Sequence, residues 1–265
     1  MTECATLEPR IQPLGVTRRS ESGETPQVSV IFPAYNEKPR LPSTLEKTIA
    51  YLQKEYESWE IIVADDGSAD GTAEMVEHDF PQCRVLRAPH NMGKGAAVRR
   101  GMLAAGGRFR LFSDSDLSTP IEELAPMMAL LQRMECDVVI ASRALPESNL
   151  VQRQPWWREI SGRIFNALVQ PISGLPFRDT QCGFKLFRDH AAEEIFSRQR
   201  SNGWAFDVEI LMLAQFLGFT VREHPVTWLN SAASKVHLLR DAPKMLFDIV
   251  RFRWRRLTGG MLGEE

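Results

Sequence analysis

The tripeptide Asp114-Ser115-Asp116 combines two carboxylates at a spacing that suits chemistry on a metal ion. It follows the apolar segment of residues 108–112, and side chains two positions apart in an extended segment point the same way. Two carboxylates on one side repel each other unless a cation lies between them, and a hard divalent ion with oxygen ligands meets this need. The spacing therefore predicts that Asp114 and Asp116 bind Mg²⁺ or Mn²⁺. A solvated turn with both aspartates capping the chain before Pro120 is the alternative interpretation.

Carboxylates and an aromatic ring also follow two other apolar segments. Asp65 and Asp66 come directly after residues 60–64, and Tyr35 and Glu37 follow the first strand-like run of the chain. A ring that stacks on a base, together with carboxylates that accept hydrogen bonds from base N–H groups or ribose hydroxyls, suits a nucleotide site. The alternatives are a helix N-cap and turn for the acidic pair and simple packing for Tyr35.

The segment from His90 to Gly95 contains two glycines and Lys94 at the start of a helix-forming stretch. Glycine lets the backbone approach a ligand closely, and the amino end of a helix attracts phosphate. The Walker A pattern GxxxxGK[ST] is absent, so kinase or ATPase chemistry fits poorly. We therefore expect this segment to contact the phosphates of a bound nucleotide.

These clusters depend on elements that alternate between strand and helix along the chain. Short runs of β-branched or other apolar residues predict strands at residues 28–32, 60–64, 84–86, 108–112 and 137–141. The helical spacing of apolar residues predicts helices at residues 41–55, 72–77, 93–105 and 121–134. Such alternation predicts an α/β fold of right-handed βαβ units around a mostly parallel sheet. Ligands bind at the carboxyl ends of the strands in such sheets, and each carboxylate cluster follows a strand.

The composition is that of an ordinary globular protein, with 43% hydrophobic and 25% charged residues in a chain of 265. A net charge of −2 argues against a general nucleic-acid binder. The four cysteines lack CxxC spacing, which predicts free thiols in a reducing compartment. No stretch reaches the roughly 18 apolar residues of a spanning helix, and the first residues do not form a basic-then-apolar leader. We therefore expect a cytoplasmic protein without a signal peptide or a transmembrane helix.

Four segments, in this order and each after a predicted strand, resemble family 2 glycosyltransferases. They are Pro33-Ala34-Tyr35-Asn36-Glu37, Asp65 to Thr72, Asn91 to Gly95 and Asp114-Ser115-Asp116. The resemblance extends over residues 28–257 and implies the GT-A fold, in which helices flank a Rossmann-like sheet. In the second half, Asp179 to Phe187 and Trp204 to Glu209 resemble the dolichyl-phosphate β-glucosyltransferases. The related dolichyl-phosphate mannosyltransferases share the same outline.

The resemblance implies an inverting transfer of glucose from UDP-glucose to a polyprenyl phosphate, which gives a β-linked lipid-phosphate sugar. Dolichyl-like and undecaprenyl phosphates are both compatible acceptors. The alternatives are a mannosyltransferase that uses GDP-mannose, a family 2 transferase acting on a sugar hydroxyl, a nucleotidyltransferase, and a non-catalytic module that binds nucleotide sugars. The residues expected to bind the nucleotide sugar are Pro33, Tyr35, Glu37, Asp65, Asp66, Lys94, Asp114, Ser115 and Lys235.

A lipid phosphate is already ionised near neutral pH, so it needs cations to position it rather than a strong base. Arginine matches phosphate oxygens with two parallel hydrogen bonds. We expect the acceptor phosphate to be held by Arg143, Arg158 and Arg163, although a solvated basic loop is the alternative interpretation. Asp179 and Gln181 are expected to order the floor of the site or to bind a sugar hydroxyl.

The predicted catalytic set is therefore Asp114, Asp116, Arg143, Asp179 and Gln181. A sugar-hydroxyl acceptor would require a general base, and the candidates are Asp179, Asp207 and Glu209. Cys182 is expected to be a small packed residue, because no nearby histidine suggests an activated thiol.

The two ends of the chain differ from its centre. Residues 1–26, rich in Pro, Glu, Ser and Thr, predict a disordered tail, and residues 27–240 form the expected GT-A catalytic domain. Residues 241–265 predict a basic amphipathic helix and a tail. Its apolar residues Met245, Leu246, Ile249, Val250, Phe252 and Trp254 oppose the basic Lys244, Arg251 and Arg255. Such a helix suits peripheral contact with the cytoplasmic face of a membrane, and a packing helix with a solvated cationic face is the alternative.

Overall fold

A computed structural model describes residues 25–134, 136–151, 168–229 and 238–257 of the chain. The predicted disordered tail lies outside the described residues except for its last two positions. The strands are β1 Val28–Ala34, β2 Trp59–Asp65, β3 Cys83–Arg87, β4 Phe109–Ser113, β5 Val138–Ser142, β6 Asn149–Leu150, β7 Phe184–Arg188, β8 Val221–Pro225 and β9 Thr227–Trp228.

Helices follow most of the strands, as predicted. They are α1 Leu41–Glu55, α2 Thr72–Asp79, α3 Lys94–Ala104, α4 Leu124–Arg133, α5 at residues 168–173, α6 Asp189–Arg198, α7 Phe206–Phe216 and α8 Leu238–Leu257. The predicted helix at residues 121–134 begins with a separate 3₁₀ turn, Ile121–Glu123.

Seven strands form one sheet in the order β3-β2-β1-β4-β7-β5-β8. All neighbouring pairs are parallel except those of β7, which runs antiparallel between β4 and β5. The prediction of an α/β fold with a mostly parallel sheet is therefore confirmed. Because β7 is reversed, it begins at the edge where its two neighbours end, with Phe184 opposite Ser113.

Hydrophobic cores cover both faces of this sheet, because alternate residues of a strand point to opposite faces. Val28, Val30 and Phe32 of β1 belong to one buried cluster, whereas Ile31 belongs to the other. Helix α7 is buried along almost its whole length and belongs to the second cluster together with Met245, Ile249 and Phe252 of α8, on which it packs. The sheet is thus enclosed by helices, and its polar edges are the places left for a ligand site.

Helix α8 begins at Leu238, three residues before the predicted segment of residues 241–265. Met245, Ile249 and Phe252 are buried. Val250 and Trp254, which the sequence pattern placed on the same apolar side, are instead 52% and 68% exposed. The helix packs mainly on α7, so only a narrow stripe of its surface is covered. Within the described residues, no helix is long and apolar enough to cross a membrane.

Candidate active site

One edge of the sheet brings together all the carboxylate clusters that the sequence singled out. The parallel strands β1, β2, β4 and β5 end there, and the reversed strand β7 begins there. The segments that meet are therefore the residues after Ala34, Asp65, Ser113 and Ser142 and those before Phe184. This convergence follows from parallel pairing, which places strand ends side by side.

Asp66 fixes the glycine-containing loop in front of α3. Its two carboxylate oxygens accept hydrogen bonds from the backbone N–H groups of Met92, at 3.1 Å, and Gly93, at 2.7 Å. Gly71, not an aspartate of the pair, is the N-cap of α2. The N-cap interpretation of the acidic pair is therefore wrong, and Asp66 instead ties the end of β2 to the start of α3.

Asp65 is 3% exposed and accepts a hydrogen bond from the Ser68 N–H through Oδ2, at 3.1 Å. Its other oxygen, Oδ1, is buried without a hydrogen-bond partner among the described residues. The Asp65 carbonyl accepts a hydrogen bond from Arg100 Nη2 at 2.7 Å. This side chain thus offers an acceptor inside the predicted nucleotide region.

Tyr35 and Glu37, in the loop after β1, differ in their exposure to solvent. Tyr35 is 39% exposed, which fits stacking on a ligand better than simple packing in the core. Glu37 is 5% exposed and forms an ion pair with Arg40, whose Nη2 donates to Oε1 at 2.6 Å. This hydrogen bond outweighs burial and raises the pKa of Arg40. The Glu37 N–H donates to Thr72 Oγ1 at 3.0 Å, which joins this loop to α2.

Asp114, directly after β4, forms an ion pair with Lys94, the first residue of α3. Lys94 Nζ lies 2.5 Å from Asp114 Oδ1 and 5.4 Å from the centre of the Trp204 ring. Burial raises the pKa of Asp114, with the charge of Asp116 adding to it and Lys94 opposing it. Burial alone would lower the pKa of Lys94, but Asp114 and Asp207 outweigh it and raise that pKa. Lys94 is therefore positively charged, and it lies at the edge of the sheet where the carboxylate clusters meet.

The other two residues of the predicted metal motif have distinct contacts. The hydroxyl of Ser115 donates to the Pro33 carbonyl at 2.6 Å, which anchors the motif to the end of β1. Asp116 accepts a hydrogen bond from the Ser118 N–H at 3.0 Å. Asp116 also lines a cavity of about 330 Å³. Arg40, directly before α1, and residues of the first two turns of α1 also line this cavity.

The donor set fits a hard divalent cation better than a structural zinc ion. No group of three or more His, Cys, Asp or Glu side chains able to hold a metal occurs in the described part of the chain. A structural zinc site uses four protein ligands. Mg²⁺ and similar ions instead take one or two carboxylates and complete their shell with phosphate oxygens and water. Asp114 and Asp116 would provide such a pair.

Arg143, directly after β5, forms a bidentate ion pair with Asp179. Its Nε and Nη2 donate to the two carboxylate oxygens at 2.7 and 2.9 Å, and its backbone N–H donates to Oδ2 at 3.0 Å. Burial alone would raise the pKa of Asp179, but Arg143 outweighs it and holds that pKa below its ordinary value. The guanidinium also lies 5.7 Å from the centre of the Trp228 ring. Asp179 and the Trp228 ring therefore both contact the Arg143 guanidinium and fix its orientation.

The chain between Asp179 and β7 forms the floor of this edge. The Gln181 N–H donates to Asp179 Oδ1 at 3.2 Å, and Gln181 Nε2 is buried without a partner among the described residues. Cys182 is buried, and burial raises the pKa of its thiol to about 11, in agreement with a packed residue. The Gly183 carbonyl accepts a hydrogen bond from the Asp114 N–H at 2.8 Å.

A buried ion pair between Lys185 and Asp207 lies beneath this floor, and sequence reasoning missed it. Lys185 is 0% exposed and also donates to the Cys182 carbonyl at 2.8 Å. A lysine inside the apolar run Phe184–Phe187 was the available signal, because a lysine in a buried strand needs a partner.

These contacts do not fit the interpretation of Asp207 or Glu209 as a general base. Asp207 is engaged by Lys185, and Glu209 accepts hydrogen bonds from the N–H groups of Arg200 and Ser201. Phe206 is fully buried and packs in the core. The predicted site residues Arg158, Arg163 and Lys235 lie outside the described residues.

Comparisons with known proteins agree with this arrangement. The model of the family described as glycosyl transferase family 2 matches residues 29–196. A dolichyl-phosphate beta-glucosyltransferase of Dictyostelium discoideum is 38% identical over 246 residues, which cover 88% of this chain and 75% of that protein. The enzyme of that name from Homo sapiens is 35% identical over 256 residues, covering 91% of this chain and 79% of the human protein.

A solved structure has the same fold. It is glucosyl-3-phosphoglycerate synthase from Mycobacterium tuberculosis, crystallised with Mn²⁺, UDP-glucose and phosphoglyceric acid. The TM-score is 0.60 at 20% identity, and the match covers 89% of this chain and 80% of that chain. The predicted GT-A fold is thereby confirmed.

Proposed function

The chain belongs to glycosyl transferase family 2, alongside the dolichyl-phosphate beta-glucosyltransferases, and on this premise we propose that it transfers glucose from UDP-glucose to a polyprenyl phosphate. It is a glycosyltransferase. The proposed reaction inverts the anomeric carbon and gives a β-linked lipid-phosphate glucose. The acceptor is a dolichyl-like or undecaprenyl phosphate.

The observation that carries this proposal is that the carboxylates after β4 and the guanidinium after β5 lie on either side of strand β7. Asp114 and Asp116 follow β4, whereas Arg143 and its partner Asp179 lie at the end of β5. Only β7 separates β4 from β5 in the sheet. Adjacent strands lie about 4.8 Å apart, so the two groups are roughly 10 Å apart along the edge. This distance suits a donor diphosphate and an acceptor phosphate on opposite sides of one sugar ring.

The nucleotide is proposed to lie along the ends of β1 and β2. The ring of Tyr35, 39% exposed, would stack on the base, and Asp65 Oδ1, which has no hydrogen-bond partner among the described residues, would accept a hydrogen bond from the nucleotide. Lys94 brings a positive charge to the amino end of α3, where the helix dipole also favours phosphate. Asp66 and Glu37 support this pocket by holding its loops, because their carboxylates contact Gly93 and Arg40 respectively.

We propose that Asp114 and Asp116 hold a divalent cation, Mg²⁺ or Mn²⁺. When bound, this ion would neutralise the diphosphate and make it a better leaving group. The glucosyl-3-phosphoglycerate synthase of the same fold, crystallised with Mn²⁺ and UDP-glucose, supports this proposal.

The acceptor side of the reaction needs no general base. The second pKa of a phosphate monoester is about 6, so the acceptor oxygen is already ionised at neutral pH. Arg143 would hold this phosphate, and Asp179 keeps the guanidinium in place and charged. One acceptor oxygen forms a bond to the anomeric carbon from the face opposite the leaving group, while the bond from that carbon to the UDP oxygen breaks. UDP departs with the electron pair, and no proton is transferred.

The engagement of Asp207 and Glu209 favours a phosphate acceptor over a sugar hydroxyl. A hydroxyl acceptor would have to lose a proton to a carboxylate with a free oxygen. Asp179, the third candidate base, accepts hydrogen bonds from Arg143 through both oxygens and has its pKa lowered. A polyprenyl-phosphate mannosyltransferase that uses GDP-mannose is the second candidate function, because the same geometry serves that donor.

We further propose that the protein works at the cytoplasmic face of a membrane. Phe247, Val250 and Trp254 form an exposed apolar stripe on α8, and they are 67%, 52% and 68% exposed. The basic residues Lys244 and Arg251 are exposed on the same helix. Aromatic and apolar side chains beside cations suit an anionic lipid surface. The free, buried cysteines support a reducing compartment.

A donor assay tests the proposed reaction. UDP-glucose, GDP-mannose and UDP-GlcNAc are each incubated with a polyprenyl phosphate, with Mg²⁺, with Mn²⁺ or with a chelator. We expect a β-linked glucolipid from UDP-glucose only in the presence of metal. Product formed equally well in the chelator, or a clear preference for GDP-mannose, would contradict the proposal. Cosedimentation with anionic vesicles at low salt tests the membrane contact, and no binding would overturn it.

A further inference from the structure

A small second sheet has an apolar surface that faces solvent. Strand β6 pairs in parallel with β9, with Leu150 opposite Trp228, and the pairing continues in a hydrogen bond from the Val151 N–H to the Trp228 carbonyl at 3.1 Å. At this end of the two strands, Leu150, Val151 and Leu229 are 38%, 54% and 41% exposed. We call these three residues and Trp228 the apolar end of the small sheet. Clustered exposed apolar side chains of this kind commonly mark a binding surface.

The apolar end of the small sheet is joined to the acceptor side of the candidate active site. Leu150 and Trp228 are paired in register, so their side chains lie on the same face of the small sheet. The Trp228 ring is 9% exposed and lies beside the Arg143 guanidinium, 5.7 Å from its central carbon. A path of apolar side chains therefore leads from Arg143 past Trp228 to Leu150.

The same surface is also tied to the predicted metal motif. The Leu229 N–H donates to the Ser118 carbonyl at 2.7 Å. The Ser118 N–H in turn donates to Asp116 Oδ1 at 3.0 Å. These two short links hold the small sheet at a set distance from Asp116. The apolar end of the small sheet thus borders the candidate active site in a fixed position.

We infer that the apolar end of the small sheet binds the first isoprene units of the acceptor lipid, an inference that rests on the proposed function. An acceptor phosphate held by Arg143 carries a hydrocarbon chain, and this chain must leave a polar site. Burying apolar surface is favourable, so the chain follows the nearest apolar side chains rather than entering water. Trp228 and Leu150 are those side chains.

A hydrocarbon chain fits this surface better than a protein partner does. A stable protein interface uses roughly 20–30 residues on each side, far more than the three exposed side chains that the described residues provide here. The surface also differs from the stripe of Phe247, Val250 and Trp254, which lies on α8 and not on the small sheet. We therefore assign recognition of the acceptor chain to the small sheet and general membrane contact to α8.

The test compares acceptors that differ only in chain length. The unmodified protein and the variant Leu150→Gln are assayed in detergent with UDP-glucose. The acceptors are a phosphate ester with one isoprene unit and a polyprenyl phosphate with several. We expect the unmodified protein to prefer the longer acceptor in kcat/KM. The variant should lose roughly tenfold or more on the longer acceptor, the effect of losing one or two apolar side-chain contacts, and change little on the shorter one.

Two matched variants serve as controls. Leu103→Gln removes another exposed leucine, 44% exposed near the carboxyl end of α3 and away from the site edge, and it should leave both acceptors unaffected. Val250→Asn on α8 should weaken vesicle binding without changing the preference for chain length in detergent. Circular dichroism and thermal unfolding confirm that the variants fold.

The outcomes separate this inference from the proposed function. If the unmodified protein glucosylates neither acceptor, the proposed function fails. If it glucosylates both and the Leu150→Gln variant loses activity equally on both, or on neither, the proposed function stands and the inference is overturned. A selective loss on the longer acceptor supports the inference, because a general distortion of the site would lower both activities.

Discussion

The backbone of Gly183 lies directly against the carboxylate of Asp114. The Gly183 carbonyl accepts a hydrogen bond from the Asp114 N–H at 2.8 Å, and a Cβ atom at position 183 would overlap the Asp114 carboxyl group. The reversed strand β7 brings this glycine to the end of β4. Only a residue without a side chain leaves room for Asp114 in its observed position.

Gly183→Ala should therefore displace the Asp114 side chain. We expect kcat to fall by about a hundredfold, which is the typical cost of misplacing a catalytic group by about 1 Å. The concentration of metal needed for half-maximal activity should rise at the same time. Steady-state kinetics over a metal titration measures both effects.

Gly203→Ala is the matched control for this change. No atom lies within 4 Å of a Cβ atom built at Gly203, so this variant should keep near-normal activity and metal dependence. Unchanged kinetics in Gly183→Ala would show that the position of Asp114 matters little. An equal loss in both glycine variants would point to backbone effects instead.

Lys94 is expected to stabilise the leaving diphosphate, because its ammonium group lies 2.5 Å from Asp114 Oδ1 at the amino end of α3. Lys94→Met should lower kcat by roughly a hundredfold, as loss of one preorganised donor does. Lys94→Arg keeps the charge and should recover part of the rate. Rapid-quench measurement of a single turnover separates chemistry from product release.

Lys54→Met is the control for the loss of one positive charge. The Lys54 side chain is 81% exposed, and its ion pair is with Glu55 at the carboxyl end of α1. We expect normal turnover from this variant. A Lys94→Met enzyme with an unchanged single-turnover rate would rule out the proposed role of Lys94.

The Arg143–Asp179 pair should make stability depend on pH in acid. The pKa of Asp179 is lowered in the folded protein, because the charge and hydrogen bonds of Arg143 outweigh burial. Its contribution is therefore complete above the pKa that this carboxyl has in the unfolded chain. It is lost as the pH falls through the lower pKa of the folded state.

Asp179→Asn should thus lower the free energy of unfolding by about 2 kcal/mol at neutral pH, since it removes hydrogen bonds to a charged group. The difference between the two proteins should shrink in acid. Urea unfolding across the acid range measures this difference. Glu57→Gln removes an exposed carboxylate and serves as the control. A difference that stays constant down to the lowest pH would contradict the assignment.

The buried ion pair of Lys185 and Asp207 should matter mainly for stability of the site floor. Lys185→Met leaves the Asp207 carboxylate buried without its partner, at a cost of about 3–5 kcal/mol in the free energy of unfolding. The double variant Lys185→Met/Asp207→Leu removes both charges and should recover much of this loss. Urea unfolding of the single and double variants measures the coupling.

An exposed ion pair provides the comparison for this cycle. Arg87 pairs with Glu74 and Glu77 on the surface, and Arg87→Met should change stability little, because exposed pairs are screened by water and salt. If the double variant at Lys185 and Asp207 were less stable than Lys185→Met alone, the buried pair would not be the source of the loss.

The local sequence was sufficient to predict the α/β class and the edge at which the site lies. Apolar runs such as residues 28–32 and 60–64 report burial through their periodicity, which is a local property. Parallel pairing then requires the residues after these strands, including Asp66 and Asp114, to meet at one edge. The four motifs in order also identified the family.

The tertiary structure was needed for features that depend on contacts between distant parts of the chain. The reversal of β7, the close approach of Gly183 to Asp114 and the burial of Lys185 against Asp207 join residues that are 22 or more positions apart. Periodicity reports that a strand is buried, but it specifies neither direction nor neighbours. The exposure of Val250 and Trp254 on α8 also depends on tertiary contacts, because packing against α7 decides which apolar side chains of α8 are buried.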